Sequence, residues 1–141
     1  MSHIITRIAE YGIIINDNKE FLILRFSKEV NPGEKWIFPG GRLDNGEEPK
    51  KGLLREIKEE TNLDVEIVQA CDVTMWGKGE DHRYAVFFIC KIKKGDNIKL
   101  SHEHQDYKWC SFDELSKINF HDNAFKEILE NAFEIIKNLS S

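Results

Sequence analysis

Three glutamates, Glu56, Glu59 and Glu60, stand three and four residues apart behind a glycine-rich turn, with Arg55 beside them. In a helix these spacings share one side, so the carboxylates form a single acidic cluster. The chemistry such a cluster offers is the holding of a hard divalent cation. Mg²⁺ and Mn²⁺ take oxygen ligands and often share their shell with substrate phosphates. Without a cation the arrangement is poor helix design. Like charges at these spacings repel by about 0.2–0.5 kcal/mol per pair. Anions in the last turns also oppose the macrodipole by about 0.3–1 kcal/mol each. The competing reading is a solvated acidic face, which needs no ion. The upstream turn favours the ion: in Pro39-Gly40-Gly41 the glycines have no Cβ to keep a backbone carbonyl away from it. Asp44-Asn45-Gly46 then turns the chain back into the helix. An EF-hand does not fit, because Asp44-Asn45-Gly46-Glu47 lacks the alternating oxygen donors of that loop. Gly52 sits one turn before Glu56 and leaves room beside the carboxylates, at a cost of about 1 kcal/mol relative to alanine.

These residues need a scaffold, and the rest of the chain reads as one. A helix is expected over 48–61, with Pro49 in its first turn, where the missing N–H costs nothing. Leu53, Leu54 and Ile57 form its core-facing stripe. Strands are expected at 3–16, 21–26, 36–38, 63–76 and 82–93, with shorter ones at 98–101 and 107–110. Residues 21–26 (FLILRF) are nearly all apolar, as in a strand buried on both faces. Gly12, inside the first strand, marks a bulge or a close backbone approach. A helical turn at 112–116 and a final helix at 121–139, capped by Asp122 or Asn123, complete the pattern. Two helices on opposite faces of a mixed sheet, in one α/β domain spanning 1–141, is the natural architecture.

Bulk properties narrow the function classes. The chain has 141 residues, 40% of them hydrophobic and 32% charged. That length suffices for a real core, and that balance is soluble and globular. Spanning a bilayer takes roughly 20 apolar residues. No run in this chain approaches that length, and MSHIITRIAE lacks the apolar centre of a signal peptide. A cytoplasmic protein is the expectation. The net charge of −5 argues against a duplex nucleic-acid surface but not against a nucleotide, since cations can supply the positive charge. Cys71, Cys90 and Cys110 form no CxxC pair and read as reduced, mostly buried thiols.

Gly41, five residues, Glu47, seven residues, then Arg55-Glu56-Ile57-Lys58-Glu59-Glu60-Thr61-Asn62-Leu63 resembles the Nudix box, GX5EX7REUXEEXGU with U a bulky aliphatic residue. The box covers 23 of the 141 residues. It departs from the pattern once, with Asn62 in place of glycine. That position follows the helix and calls for a left-handed backbone, where asparagine is the usual second choice. The EHxxxYxW-like stretch from Glu103 to Trp109 extends the likeness to MutT-like members of the family. The resemblance implies an α/β/α sandwich with a mixed sheet and hydrolysis of a nucleoside diphosphate linked to another group. It implies that Glu56, Glu59 and Glu60, with the Gly40 carbonyl, ligate Mg²⁺ or Mn²⁺. Arg55 would hold a glutamate in position and Glu47 would support the loop–helix junction. A glutamate on a loop before the last strand serves many members as base or further ligand. Glu103 is the candidate here, with Glu59 as the alternative base. His102 and His104 flank Glu103; a His-Glu-His zinc site is conceivable, but solvated loop histidines are the ordinary outcome.

The substrate side is less legible. Arg25 could reach a phosphate, and Trp36, Phe38 and Trp76 could stack on a base. Asn119, Asp122 and Asn123 precede the last helix, where the resemblance implies part of a base pocket. Core packing and helix capping are the competing readings for these residues. A nucleoside triphosphate pyrophosphohydrolase, acting as a monomer or homodimer on a small nucleotide, is the expected function. A non-catalytic nucleotide sensor, or a hydrolase of nucleotide sugars or ADP-ribose, is the alternative.

Overall fold

The computed structural model describes residues 3, 5–94, 97–120 and 124–139. Its centre is β1 (Arg7–Ile15), which pairs in parallel with β6 (Arg83–Lys94) through nine successive positions, Arg7 opposite Arg83 to Ile15 opposite Lys91. The other edge of β1 is shared. Its first half pairs antiparallel with β4 (Gly40–Arg42), and Ile15 pairs with Phe21 of β2 (Phe21–Phe26). β3 (Trp36–Ile37) and β7 (His104–Cys110) pair with β2, and β5 (Asp64–Trp76) pairs antiparallel with β6. The result is one mixed, seven-stranded sheet.

Strand alternation divides the core in two. Ala9, Tyr11, Ile13 and Ile15 of β1 face α3 (Ala124–Leu139), whose Phe125, Ile128, Leu129, Ala132 and Ile136 are buried against them. Ile14 faces the other way, with Leu22, Leu24, Phe88 and Cys90, onto Leu53 and Ile57 of α1 (Pro49–Thr61). This is an α/β/α sandwich. α2 (Phe112–Leu115) is a single turn closed by a capping box between Ser111 and Glu114. Gly12 is a close approach: a Cβ built there would lie 2.8 Å from Cδ1 of Ile57, so α1 seats directly on β1. No helix among the described residues is long and apolar enough to cross a membrane.

Several expectations are corrected. The segment Gly40–Arg42 belongs to a strand rather than only to a turn, because its backbone pairs with the distant β1. Residues 98–101 form no strand; the Lys99 N–H donates to the Thr61 carbonyl and helps close the end of α1. β7 begins at His104, three residues earlier than the sequence suggests. Leu54 is 38% exposed, because the buried side of α1 runs through Gly52, Leu53, Ile57, Glu60 and Thr61. Phe38 is fully buried among Phe87, Phe120 and Phe125, so it is a core residue and not a stacking surface. The expected caps Asp122 and Asn123 lie outside the described residues.

Asn62 adopts the left-handed conformation, φ 68° and ψ 10°, and its N–H returns to the Lys58 carbonyl. Its side-chain amide donates to the Asn97 carbonyl at 3.2 Å. Asn62→Gly relieves the left-handed conformation and removes one exposed hydrogen bond, effects of similar size and opposite sign. The expected change in unfolding free energy is within about 0.5 kcal/mol of zero. A loss above about 1 kcal/mol in urea unfolding would show that the Asn97 bond governs this helix end.

Candidate active site

α1 carries the carboxylates, and its start is fixed locally. Glu48 caps the helix, accepting from the N–H groups of Lys50 and Lys51 at 3.2 and 3.0 Å, and Pro49 occupies the first turn. Arg55 organises the acidic face. Its Nε and Nη2 donate to the two oxygens of Glu47 at 2.7 and 3.0 Å, the fork geometry that suits a guanidinium. Nη1 reaches Glu59 at 3.0 Å, and Nη2 also reaches Glu56 at 3.2 Å and Asp44 at 3.3 Å. Hydrogen bonding to Arg55 holds the Glu47 carboxyl below the usual range. Glu47 also accepts from the Asp44 N–H at 3.3 Å, which ties the turn to the helix.

The box carboxylates differ in environment. Glu59 is largely exposed, Glu56 is mostly covered and Glu60 is buried. Burial pushes Glu60 up to about 9; the Gly40 N–H, donating at 3.1 Å, opposes this, while Glu56, Glu103 and Glu59 add to it. Burial raises Glu56 as well, against the pull of Arg55. Gly41 abuts Glu56 closely, since a Cβ there would lie 3.2 Å from its Oε2.

Glu103 sits exposed in the turn before β7, and His104 opens the strand. One donor atom each from Glu60, Glu103 and His104 lie within 4.8 Å of one another. His104 is not a solvated loop residue. It is 6% exposed, its ring stacks on Phe26 with centroids 5.3 Å apart, and burial lowers it to about 4, which keeps it neutral. Gly40, Gly41, Glu56, Glu103 and His104 line a cleft of about 440 Å³ with Tyr11, Phe26 and Arg42. The geometry suits a divalent cation. A buried carboxyl that keeps its proton for want of a positive partner, and glycines that leave the carboxylates uncovered, are what a cation site needs.

Other anticipated residues lie elsewhere. Arg25 donates through Nε to the Glu34 carbonyl at 3.1 Å and is not among the residues lining the cleft. Trp36 pairs with Arg25, and its N–H donates to the Asn119 carbonyl at 3.1 Å. Trp76 packs on Tyr11 and Phe125. Glu10 is a site-adjacent residue that no local sequence signal picks out. It lies on β1 facing α1 and is 2% exposed, with Oε1 lacking any hydrogen-bond partner. Gly52 makes its room: a Cβ there would lie 2.7 Å from a Glu47 oxygen and 2.9 Å from Oε1 of Glu10. Burial, then Glu47 and Glu56, raise Glu10 to about 7.

These shifts give the metal-free protein a defined pH dependence. Glu10 at about 7 and Glu60 at about 9 both lie above the ordinary value of 4.5. Their contribution is present in full below about pH 4.5 and is lost as pH rises through the folded values, because the unfolded chain ionises first. His104 acts in the opposite sense between about 4 and 6.5, so the clean window is about pH 6.5 to 9. In EDTA the protein should lose on the order of a few kcal/mol across that window, and saturating Mg²⁺ should flatten the loss by displacing the Glu60 proton. Thermal melts with and without Mg²⁺ test this. A metal-free melting temperature that is flat or rises with pH would refute the assignment.

Residues 6–132 match the NUDIX domain. The bis(5'-nucleosyl)-tetraphosphatase [asymmetrical] of Caenorhabditis elegans is 35% identical over 103 residues, covering 70% of this chain and 72% of the relative. A binary complex of a C. elegans Ap4A hydrolase superposes with a TM-score of 0.82 at 25% identity, over 94% of this chain and 99% of that one. A MutT protein from Methanosarcina mazei Go1 gives 0.80 at 28% identity, over 89% and 91%. The family match runs from the start of the sheet into α3 and so takes in every element that positions the carboxylates: the chain belongs to the Nudix family of pyrophosphohydrolases, enzymes that cleave nucleoside diphosphates linked to another group.

Proposed function

We propose that this enzyme hydrolyses a phosphoanhydride bond in a nucleoside polyphosphate, with a dinucleoside polyphosphate as the first candidate. The observation that carries the reading is a cleft lined by Glu56, Glu103 and Arg42, with buried Glu60 placing a carboxylate oxygen within 4.8 Å of ligand atoms of Glu103 and His104. Glu56, Glu59, Glu60, Glu103 and the Gly40 carbonyl would hold Mg²⁺ or Mn²⁺, which supplies neutralisation of the charge that spreads over the phosphates during attack by water. Arg55 positions Glu56 and Glu59. Arg42 offers a guanidinium to a phosphate further along the chain. Glu103 is favoured over Glu59 as the group that takes the proton of the attacking water. Glu103 lines the cleft, whereas Glu59 is engaged with Arg55. The cleft's apolar wall, Phe26, Val30 and Ile37, offers a surface for a nucleobase.

Arg25, Trp36, Trp76 and Asn119 have no part in this reading. The dinucleoside substrate is supported by the relative from C. elegans, whose name describes asymmetrical cleavage of a bis-nucleosyl tetraphosphate. A nucleoside triphosphate is the second reading, supported by the likeness to the 8-oxo-dGTP diphosphatase of Escherichia coli, 38% identical over 52 residues. A panel of dinucleoside polyphosphates, canonical and oxidised nucleoside triphosphates, nucleotide sugars and ADP-ribose, assayed with Mg²⁺ and Mn²⁺, tests both. Asymmetrical cleavage of a dinucleoside tetraphosphate releases a nucleoside triphosphate and a monophosphate. Faster turnover of a triphosphate, releasing pyrophosphate, would reverse the order. Unchanged turnover in Glu103→Gln would remove Glu103 as the base.

A further inference from the structure

We infer that His104 is itself a metal ligand, joining Glu60 and Glu103 in a mixed nitrogen–oxygen site that prefers a borderline ion such as Co²⁺ or Zn²⁺ to Mg²⁺. The inference rests on the carboxylate site proposed above and adds a ligand of a different chemical kind.

The first observation is an unmet demand. The His104 side chain is 2% exposed, and neither Nδ1 nor Nε2 has a hydrogen-bond partner. A buried histidine that only fills space normally satisfies at least one ring nitrogen, since an unpaired polar group loses its water without replacement. The second is distance. Nε2 lies 3.8 Å from Oε1 of Glu60, too far for a hydrogen bond. Two ligands on one ion, each bonded at about 2.0–2.2 Å, can stand at most about 4.4 Å apart. The observed 3.8 Å therefore fits a shared cation. The third is orientation. β7 pairs with β2 at His104 opposite Phe26, next to a register shift, and the imidazole lies at 21° to the Phe26 ring. Strand register and ring stacking therefore fix the imidazole where Glu60 and Glu103 converge.

The neutral imidazole carries a lone pair, as a ligand must. Imidazole nitrogen suits Zn²⁺ and Co²⁺, whereas Mg²⁺ demands oxygen; Mn²⁺ is at home with oxygen but accepts a nitrogen ligand and serves as the paramagnetic probe. His102, one residue before Glu103, is exposed and offers the natural control.

Pulsed EPR of the Mn²⁺-loaded enzyme tests the inference. Wild-type protein should show ¹⁴N modulation from a directly bound imidazole, kept in His102→Gln and lost in His104→Gln. By calorimetry, His104→Gln should weaken Zn²⁺ and Co²⁺ by about tenfold or more and Mg²⁺ by less than about threefold. The wild-type spectrum needs no variant, so misfolding of His104→Gln cannot obscure it. Bound Mn²⁺ without ¹⁴N modulation would overturn the ligand role and leave the carboxylate site standing. Failure to bind Mn²⁺ at all would overturn both.

Discussion

Glu60→Gln is expected to lower kcat/KM by about 10³-fold or more while leaving the metal-free fold at least as stable as the wild type below pH 4.5 and more stable at about pH 7. The two halves have one cause. Glu60 is buried, and in the absence of a cation its carboxyl keeps its proton up to about pH 9. Glutamine is a neutral isostere of that protonated acid, and its amide oxygen can still accept from the Gly40 N–H. Folding therefore loses almost nothing in the native state, and at about pH 7 it gains, because glutamine in the unfolded chain has no proton to release. The proposed cation loses an anionic ligand it cannot recover, because the amide carries no charge. Steady-state kinetics in saturating Mg²⁺, set beside thermal melts in EDTA, separate the two effects. Activity within about tenfold of wild type would remove Glu60 from the metal site. An equal loss of activity and stability would mean that the ionised form supports the fold.

The carboxylate helix was legible in the sequence because its information is local. Periodicity placed Leu53 and Ile57 on the core, the cluster spacing placed Glu56, Glu59 and Glu60 on one edge, and Pro49 and Asn62 marked the ends. What escaped depends on pairing between distant segments. β4 is three residues of mostly glycine, and nothing local says that β1 will receive it. His104 stands in a polar run, HEHQD, whose composition reads as a solvated loop; only the pairing of β7 with Phe26 buries it. Glu10 precedes an isoleucine-rich run, where an acid reads as a solvent-facing position. The sheet instead turns it toward α1, and Gly52 leaves the space it fills. Phe38 errs the other way. It resembles a stacking surface by type, but it is fully buried against Phe87, Phe120 and Phe125 on the α3 side of the sheet.

The active-site groups are thus anchored to two separate parts of the fold. Arg55, Glu47 and Asp44 tie the turn to the start of α1 through charge-assisted hydrogen bonds. Glu60, at the other end of the helix, is tied to the sheet through the Gly40 N–H. The first tie joins the part-buried Arg55–Glu47 pair to an exposed Asp44, and its exposed member is weakened by salt. The second is buried and depends on where the backbone of β4 lies against β1.

That dependence makes Gly40→Ala the most damaging single methyl group this site can receive. Gly40 has φ +144°, a conformation L residues rarely adopt. A Cβ there would lie 2.1 Å from the Glu10 carbonyl oxygen and 2.7 Å from Cα of Tyr11. Both obstacles are backbone atoms of β1, which nine consecutive pairings to β6 hold in place. The chain must yield at β4, breaking its pairing with Tyr11 and the bond from the Gly12 N–H to the Pro39 carbonyl. Displacing β4 also withdraws the Gly40 N–H from Glu60 and the Gly40 carbonyl from the proposed cation. The expected cost is about 3 kcal/mol or more in urea unfolding, with Mn²⁺ affinity lost together with stability. Gly46→Ala is the matched control. Gly46 also has a positive φ, +79°, but a Cβ there meets nothing within 4 Å. Only the conformational cost of about 1 kcal/mol then applies, and Mn²⁺ binding should survive. Equal destabilisation of the two variants would show that β4 can move away from β1 freely, and that the Gly40–Glu60 bond does not set the position of the carboxylate.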